Sequence, residues 1–534
     1  YHSLLILFLL SISYSVLGDS CADCLQSKET VILDPSLPTS SDAINEVLES
    51  VNHLCKSSFI TEWEIHDCVE TSVNYLIDLY EDLNSESEHS EEKVILSTKR
   101  LCSIVSACET ACCLTDWEPE QIHLSKTELY SEMVVSWVTL NPWDLPVVEY
   151  WQAVDFQLKS TMSFNLTINV VEADISTYTA GGWVGTIYNA TLTNLLPGTP
   201  YYYKITGSSN NTTPAVTEEH YFITDIVPSN SSLQSRSIQA QITPFIPNVT
   251  ASVVAYFGDV GTGDNSQEST EGLIQLATNS SVQLIIQGGD LSYADGTESI
   301  WDEYMRMVSD YSDIVPVMTA PGNHENYYLF DAYRHRYFMP WSESGSQQYY
   351  SYNHEKIHFV TWSFEEFKGV DLLPGGKQKQ WLEADLQQAN LERDVRPWIV
   401  LYGHRPFYCS SDSHDCEYMA EYMRFLLEDI INEYHVDVVL QAHKHNYERT
   451  YPVYKNEKLQ DGYTDPLGPM YYVVGTGGRD KNSDFIDDPE DWSADRDDKY
   501  GYLLLSAPNE SVLEMSYISK SFNIHDSATI TRTE

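Results

Sequence analysis

The sequence predicts a multidomain protein in which an α-helical module precedes a β-sandwich, and an α/β domain follows both. Three observations lead to this fold class. Apolar residues recur at helical spacing in the first part of the chain, and they alternate with polar residues in the next part. Beyond residue 250, apolar runs of strand length repeatedly end in Gly or Ala plus a polar residue, with helical stretches between them.

The composition excludes one large class of partners. The chain has 534 residues and a formal net charge of −49, from 30 Lys and Arg against 79 Asp and Glu. Hydrophobic residues make up 42% and aromatic residues 12%, which is typical of a globular protein and not of a disordered acidic tail. Nucleic acid is excluded because phosphate backbones bind basic surfaces. Repulsion between the many carboxylates weakens in an acidic compartment, where some of them are protonated. The negative charge would equally well keep the protein soluble.

The chain begins with a segment typical of a secretory signal. Residues 4–12 form an apolar run that is too short to span a bilayer, and no basic residue precedes it. Val16 and Gly18 supply small residues before a cut ahead of Asp19, so residues 1–18 are predicted to be a signal peptide. We therefore expect a protein that is secreted or resides in the lysosomal or vacuolar lumen.

Cysteines and glycosylation sequons agree with that compartment. Eight of the ten cysteines precede residue 114, which favours disulfides in an oxidising environment. Eight N-x-S/T sequons are predicted glycosylation sites, namely Asn165, Asn189, Asn210, Asn211, Asn230, Asn248, Asn279 and Asn509.

Residues 19–115 are predicted to be helical, because apolar residues such as Val69, Val73 and Leu76 share one helix face. Six cysteines of this segment follow the order Cys21-x2-Cys24, Cys55, Cys68 and Cys102-x5-Cys108. Their order and spacing resemble those of the saposin B-type domain, a small helical module. The resemblance implies lipid binding or presentation, and the disulfides Cys21–Cys108, Cys24–Cys102 and Cys55–Cys68.

Two points about this segment stay open. The three bridges could serve only to hold a small module together, with no lipid involved. Cys112 and Cys113 lie just beyond the six cysteines. Because adjacent cysteines rarely bond each other, we expect these two to take other partners, by exchange within the chain or between chains.

Residues 116–225 change to a β pattern. The run Val134–Val138 is an apolar strand, and Pro197-Gly198 later makes a turn before a strand with Tyr201 and Tyr203 on one face. The turn and the tyrosines resemble the E–F corner of a fibronectin type III sandwich, where a tyrosine hydroxyl bonds back to the backbone. We interpret the tyrosines as core residues. Stacked, exposed tyrosines would instead suggest sugar binding.

A segment rich in Ser, Pro, Asn and Gln, residues 226–250, is predicted to link the sandwich to an α/β domain at 251–534. Strands of that domain are predicted at 253–257, 284–286, 315–319, 398–402 and 436–440, and helices at 378–388 and 419–431.

Polar residues that follow these strands suit a site for two metal ions: Asp259, Asp290, Tyr293, Asn323, His404, His443 and His445. Hydrolysis of a phosphate ester is helped by two cations roughly 3.5–4 Å apart, because the anionic ester otherwise repels a hydroxide nucleophile. A shared carboxylate offsets the repulsion between the cations, and oxygen and imidazole donors complete the two ligand sets.

The blocks that contain these residues resemble the signature of the purple acid phosphatases: Gly258-Asp259-x-Gly261, Gly289-Asp290-x-x-Tyr293, Gly322-Asn323-His324-Glu325, a single His404, and Ala442-His443-x-His445. Residues 117–124 also resemble the entry segment of the family's sandwich domain. Two positions depart from the family pattern, Leu401 for Val and Ala442 for Gly, and neither removes a ligand. The resemblance implies a metallophosphoesterase catalytic domain with an αββα sandwich.

The resemblance also implies the ligand sets. They are Asp259, Tyr293 and His445 for a ferric ion, and Asn323, His404 and His443 for a divalent ion, with Asp290 as the bridge. The residue types agree with this division. A phenolate is a hard anionic donor that favours Fe(III), whereas a neutral amide suits the less charged metal, which would be Zn²⁺, Fe²⁺ or Mn²⁺.

Catalytic roles fall to His324 and Asp290 by the same resemblance. His324, with Asn323, would contact the phosphate and would protonate the leaving alcohol. The alternative is that His324 only forms hydrogen bonds to the metal ligands. Glu325 is predicted to orient a ligand histidine.

His414 lies ten residues after His404, in a loop where related enzymes carry substrate-binding histidines. We therefore include it among the candidate substrate-binding residues. Cys409 and Cys416 are predicted to close this loop with a local disulfide.

The leading functional hypothesis is an acid phosphatase that hydrolyses phosphate monoesters by attack of a metal-bound hydroxide. A phosphodiesterase, a diphosphatase or a lipid-directed phosphoesterase using the saposin-like module is less favoured. Sphingomyelinase-type enzymes have Asp-x-His where this chain has Asp259-Val260-Gly261. An inactive lipid-binding protein is the third hypothesis, and the complete set of seven ligands opposes it. The expected partners are a small phosphorylated substrate and, through the helical module, a lipid surface.

Overall fold

The computed structural model describes residues 110–153, 167–207, 215–227, 251–482 and 484–533. Several predictions lie outside these residues. They concern the signal peptide, the saposin-like module with its three disulfides, most of the linker, and the sequons Asn165, Asn210, Asn211, Asn230 and Asn248.

The first described region is a β-sandwich. Its strands are β1 (Thr110–Ala111), β2 (Glu120–Ser125), β3 (Met133–Thr139), β4 (Val147–Gln152), β5 (Asn169–Glu172), β6 (Asp174–Ser176), β7 (Trp183–Val184), β8 (Thr186–Leu192), β9 (Pro200–Gly207), β10 (Ala215–Val216) and β11 (His220–Ile223). One sheet has the order β2-β3-β8-β6, and the other has β10-β9-β4-β5 with β11 also paired to β9. The predicted sandwich is therefore confirmed.

Aromatic residues fill the core between the two sheets. Trp137 is fully buried and stacks on Tyr188, with ring centroids 5.1 Å apart. Tyr201 and Tyr203 are also buried, as core residues should be. The Tyr201 hydroxyl accepts the N–H of Leu196 at 2.9 Å, which is the backbone tie expected for this type of corner.

The first described strand, β1, lies in the segment 19–115 that was assigned above to the helical module. Its two residues pair in parallel with β7 and form a separate two-stranded sheet beside the sandwich. Cys112 and Cys113 are bonded to each other, and our expectation that they take other partners is wrong. The Cys112 N–H donates to Val184 O at 2.9 Å, and this anchors the pair against the sandwich.

The α/β domain contains two packed sheets. Its strands are β12 (Val253–Phe257), β13 (Leu284–Gln287), β14 (Val317–Thr319), β15 (Tyr350–His354), β16 (Ile357–Thr361), β17 (Trp398–Tyr402), β18 (Val438–Gln441), β19 (Tyr447–Thr450), β20 (Val453–Tyr454), β21 (Glu457–Lys458), β22 (Met470–Val474), β23 (Ser493–Asp497), β24 (Gly501–Asn509), β25 (Val512–Ser519) and β26 (Ile524–Thr531). The sheet orders are β14-β13-β12-β24-β25-β26 and β15-β16-β17-β18-β22-β19-β23.

Five α-helices cover these sheets: α1 (Asp264–Thr278), α2 (Glu298–Ser312), α3 (Asp331–Arg336), α4 (Lys377–Leu391) and α5 (Ala420–Glu433). Alternate residues of β17 point to two different cores. Val400 packs between the sheets, whereas Leu401 packs with Leu382 of α4 and Met423 of α5. The domain is thus the four-layer αββα sandwich that the sequence predicted, and the Leu401 departure lies in the outer core, away from the ligand loops.

The parallel strands β12, β13 and β14 of one sheet, and β16, β17, β18 and β22 of the other, end at a common edge. Backbone hydrogen bonds join the two sheets there. The Gly258 N–H donates to Val474 O at 2.9 Å, and the Gly477 N–H donates to Gly258 O at 2.9 Å. The loops that carry polar residues therefore meet at this edge.

A buried polar network joins the sandwich to the α/β domain. Arg336 of α3 is 1% exposed, and its Nη1 lies 2.8 Å from Asp302 of α2. Its Nε donates to the Tyr178 hydroxyl at 2.8 Å, and that hydroxyl in turn donates to Glu298. The indole of Trp183 donates to Asp302 at 3.2 Å. Residues of both domains thus share one charged cluster, which fixes their orientation.

This junction should make stability depend on pH. Burial raises the pKa of Glu298 to about 7, although Arg336 opposes that shift. A raised pKa means that the folded state favours the protonated carboxyl. The stabilisation is therefore complete below pH ~4.5 and is lost as the pH rises through about 7, a change on the order of 3 kcal/mol.

We predict that Glu298→Gln reduces the fall in melting temperature between acidic and mildly alkaline pH. The amide keeps the hydrogen bond to Tyr178 but cannot ionise. Differential scanning calorimetry at several pH values measures the effect, and Glu303→Gln, an exposed position on the same helix, is the matched control. A slope as steep in Glu298→Gln as in the wild type would contradict the prediction.

Two surface features bear on the predicted compartment. Asn279 and Asn509 are exposed at a helix end and a hairpin turn, whereas the side chain of Asn189 accepts a hydrogen bond from Ser136 at 2.7 Å within the sheet. In the part of the chain that the structure describes, no helix has the length and apolar character needed to cross a bilayer.

Candidate metal centre

The seven predicted ligands follow strands of both sheets at their common edge. Four of them have left-handed backbone, with φ of 58° at Asp259, 52° at Asp290, 53° at Tyr293 and 70° at His443. Non-glycine residues seldom adopt this conformation, which costs on the order of 1 kcal/mol each. The surrounding structure holds these side chains in place against their local preference, as is common at functional sites.

One cluster consists of Asp259, Tyr293 and His445. The Tyr293 hydroxyl lies 3.0 Å from Asp259 Oδ1 and 3.0 Å from His445 Nε2. His445 Nε2 is also 3.2 Å from the same carboxylate oxygen. Three ligand atoms thus face one another in a buried site, as predicted for the ferric set.

A second cluster consists of Asn323, His404 and His443. His404 Nε2 lies 3.2 Å from Asn323 Oδ1 and 3.1 Å from His443 Nδ1. Asp290 Oδ2 is 3.1 Å from the same His404 nitrogen. Ligand atoms of Asp290, His404 and His443 all lie within 4.8 Å of one another. The structure therefore brings together all seven residues, in the two sets that the sequence suggested.

The donor atoms fit bound cations. Each histidine directs one nitrogen into the cluster and ties the other to a fixed partner. His404 Nδ1 faces Gly288 O at 2.9 Å, His443 Nε2 faces Asp415 Oδ2 at 3.1 Å, and His445 Nδ1 bonds to Asp480 O. Because a ring nitrogen that donates outward leaves the other nitrogen with a lone pair, His404 and His445 present acceptors to the centre. His443 Nε2 lies between Asp415 and Arg405, whose Nη1 is 2.9 Å away.

Burial and neighbouring carboxylates shift the pKa values of two candidate ligands. Burial and the carboxylates of Asp259 and Asp290 raise the pKa of Tyr293 well above its usual range, so the phenol stays protonated without a metal. Burial opposes charge on His404, but Asp290 outweighs it and raises the pKa of that histidine to about 9. Metal binding would displace protons from both groups, which reverses these shifts.

Backbone contacts hold Asp290 in position. Its Oδ1 accepts the His324 N–H at 2.9 Å. A Cβ at Gly322 would lie 2.1 Å from the same oxygen, so that position requires glycine. Glu325 accepts the N–H groups of Asp290, Leu291 and Gly322 at 2.7, 2.8 and 2.7 Å. The prediction that Glu325 orients a ligand histidine is therefore wrong, because this carboxylate organises the loop of Asp290.

His324 lies at the mouth of the centre, with its side chain 33% exposed. Its Nδ1 is 2.6 Å from Asp295 Oδ1, and its Nε2 is 4.0 Å from Asp290 Oδ2. Burial disfavours the imidazolium, but Asp295 and Asp290 outweigh it and raise the pKa of His324 to about 10. The ring thus presents Nε2 toward the centre while Asp295 holds its other nitrogen.

The structure does not bring His414 to the ligands. Its exposed ring lies against Tyr418, with centroids 5.0 Å apart. The next residue, Asp415, faces the centre instead and contacts His443 and Lys444, the latter at 2.8 Å. The loop is closed by the disulfide Cys409–Cys416, as predicted. Sequence reasoning missed Asp415, because an acidic residue in an acidic chain gives no signal.

We predict that Asp415→Asn weakens the metal site that contains His443. Removal of a carboxylate partner of a ligand histidine typically costs 10–100-fold in metal affinity, about the effect expected here. Metal content after dialysis against a graded chelator series measures it, and the exposed Asp412→Asn on the same loop is the control. Equal retention of metal by both variants would contradict the prediction.

A second missed segment, residues 479–482, follows β22. The Arg479 N–H donates to Asp259 O at 3.0 Å, and Asp480 O binds the His445 ring. Asn482 accepts the His445 N–H at 3.2 Å and donates to His443 O at 2.9 Å. The segment therefore holds three of the candidate ligands.

Two ligand clusters beside a shared carboxylate, at the common edge of an αββα sandwich, define a binuclear metallophosphoesterase. Family models agree with this class. Residues 252–447 match the calcineurin-like phosphoesterase model, 119–224 the purple acid phosphatase N-terminal domain, and 468–527 the iron/zinc purple acid phosphatase-like C-terminal model.

Individual proteins give the same result. Acid phosphatase type 7 from Danio rerio is 33% identical over 432 residues, which are 75% of this chain and 88% of that protein. Purple acid phosphatase 15 from Arabidopsis thaliana is 31% identical, covering 70% of this chain and 71% of its own. The solved structure of a purple acid phosphatase from yellow lupin (Lupinus luteus) seeds aligns with a TM-score of 0.66 and 25% identity, covering 78% of this chain and 74% of that one. The chain belongs to the purple acid phosphatase family.

Proposed function

We propose that the protein is an acid phosphatase that hydrolyses phosphate monoesters at a binuclear centre of iron and a divalent metal. The observation that carries the proposal is the pair of ligand clusters, with Asp290 beside His404 of the second cluster and close enough to Tyr293 of the first to raise the pKa of that phenol. Their donor types support Fe³⁺ at Asp259, Tyr293 and His445, where a phenolate is available. The neutral amide of Asn323 supports Zn²⁺, Fe²⁺ or Mn²⁺ at the other cluster.

When bound, the two cations would neutralise the phosphate and activate a water molecule for attack. The protein's own groups then bind and orient the ester. The amide of Asn323 and the ring of His324 lie at the mouth of the centre, where they can contact the phosphate oxygens. Asp295 holds His324 Nδ1, so that Nε2 is the nitrogen placed to give a proton to the leaving oxygen.

Purified holoprotein tests the proposal. We expect a violet protein with one iron and a second metal per chain, which hydrolyses p-nitrophenyl phosphate at acidic pH. The colour would come from the Tyr293 phenolate on Fe³⁺. Colourless, metal-free protein without phosphatase activity, from cells grown with ample iron and zinc, would refute the proposal. It would favour the third hypothesis, an inactive lipid-binding protein.

Two further predictions accompany this proposal and concern residues outside the described part of the chain. The predicted signal peptide and sequons support a secreted or lysosomal glycoprotein.

The cysteine pattern of residues 21–108 supports a saposin-like module that brings the enzyme to lipid surfaces. Sedimentation with liposomes tests the latter, since a protein lacking residues 19–115 should bind them less than the full chain does. Equal liposome binding by the full chain and the shortened protein would contradict a lipid-binding role for the module.

A further inference from the structure

Basic side chains surround the metal centre, and carboxylates occupy most of them. Arg405 binds Glu365 at 2.6 Å and Asp415 at 3.3 Å. Lys444 binds Asp415 at 2.8 Å. Arg479 differs, because its guanidinium has no ion pair or hydrogen bond with any residue that the structure describes. It is exposed at the mouth of the centre.

The position of Arg479 is nevertheless fixed. Its backbone N–H donates to Asp259 O at 3.0 Å, so the residue is anchored to a ligand loop. Its guanidinium carbon lies 4.4 Å from the centroid of the Tyr293 ring. The contact with Tyr293 leaves the N–H groups of this exposed guanidinium available to bind an oxyanion in bidentate fashion.

The same tyrosine ring places Arg479 near the leaving-group side of the site. The His324 ring also lies against Tyr293, with centroids 4.4 Å apart. His324 is the residue proposed to protonate the leaving oxygen. His324 and Arg479 thus contact the same ring, and both are accessible from solvent.

The negative net charge of the chain suggests that the Arg479 guanidinium attracts an anionic part of the substrate. The chain carries a net charge of −49, and such a protein repels anionic substrates at a distance. The transferred phosphate has two cations and His324 to compensate it. A further free cation at the mouth would attract the part of the substrate that the metals do not reach.

We propose that Arg479 binds a second oxyanion on the leaving group, so that the enzyme selects monoesters whose leaving group is itself negatively charged. The proposal rests on the phosphatase function proposed above. It makes Arg479 a specificity-determining residue, which acts on binding of the substrate and not on the chemical step.

A pair of aryl phosphates tests this selectivity. 4-Carboxyphenyl phosphate and its methyl ester share one framework and differ by one charge when the benzoate is ionised. In the wild type we expect the acid to have the higher kcat/KM. In Arg479→Gln the ratio of kcat/KM for acid over ester should fall roughly fivefold, the scale of one exposed ion pair, and the change should lie in KM. Arg479→Lys, which keeps the charge but not the fork, should give an intermediate ratio.

Lys455→Gln provides the matched control for loss of one positive charge. Lys455 is exposed in a surface turn, where it pairs with Asp429, and the ratio should stay at the wild-type value. Calorimetric titration of holoprotein with 4-carboxybenzylphosphonate and with 4-(methoxycarbonyl)benzylphosphonate, in which the carboxyl group is a methyl ester, gives the same comparison without turnover. A ratio in Arg479→Gln equal to the wild-type ratio, by kinetics and by titration, overturns the proposal. Absence of turnover in the wild type refutes the phosphatase function, and the titration still decides the role of Arg479.

Discussion

Asp290→Asn is expected to remove bound metal from both clusters and to lower kcat for p-nitrophenyl phosphate by at least about 10³-fold. The carboxylate is the anionic group placed beside His404 and near His324, at 3.1 and 4.0 Å. A neutral amide cannot offset the repulsion between two cations. Burial opposes charge on Asp290, but His404 and His324 outweigh it and hold the pKa of this carboxyl well below its usual range, so the carboxylate is charged over the whole working pH range.

The substitution isolates charge from folding. Asp290 has φ of 52°, and Asn adopts this left-handed backbone as readily as Asp. Metal analysis, the visible spectrum and steady-state kinetics give three independent measurements. Asp264→Asn at the exposed start of α1 is the control and should keep both metals. Full metal content together with wild-type turnover in Asp290→Asn would show that the centre has been placed wrongly.

The sequence predicted strands and helices of the catalytic domain well because they depend on local pattern, whereas the four layers were implied by the family resemblance. β12 and β17 were predicted with the observed ends, and α4 and α5 within a few residues. A continuous apolar strand such as β17 indicates burial on both faces, and the structure confirms this. The strand β1 was not predicted, because it is two residues long and pairs with β7, which lies far along the chain.

The ligands were predictable for a different reason than their supports. Each ligand directly follows a strand, so its position relative to the sheet edge is fixed by local sequence. Asp295, Asp415 and Asn482 reach the site from loop interiors, where no spacing rule applies. His414 shows the limit of reasoning by position, since the neighbouring residue turns inward instead. Only the folded loop decides which of two adjacent side chains faces the centre.

The second large effect is the loss of kcat when His324 is replaced, and we expect the size of this loss to depend on the substrate. Replacement of a general acid typically costs 10²–10⁴-fold, and we expect about 10³-fold in kcat for glycerol 2-phosphate in His324→Asn. An alkoxide is a poor leaving group and needs the proton. p-Nitrophenolate leaves readily without one, so with that substrate we expect a loss of only about tenfold.

The difference between the two substrates separates proton transfer from the alternative that His324 only supports the metal ligands. Loss of a supporting contact would slow both substrates by the same factor, because both need an intact centre. Metal content measured on the same samples detects any such loss directly. His435→Asn is the control, since His435 is exposed between α5 and β18, at the edge of the sheet opposite the ligands.

Asp295→Asn should show the same dependence on leaving group with a smaller loss of kcat. Asp295 holds the Nδ1 of the His324 ring at 2.6 Å and so directs Nε2 toward the ester. Equal losses for both substrates in His324→Asn would assign the histidine to support of the metal centre.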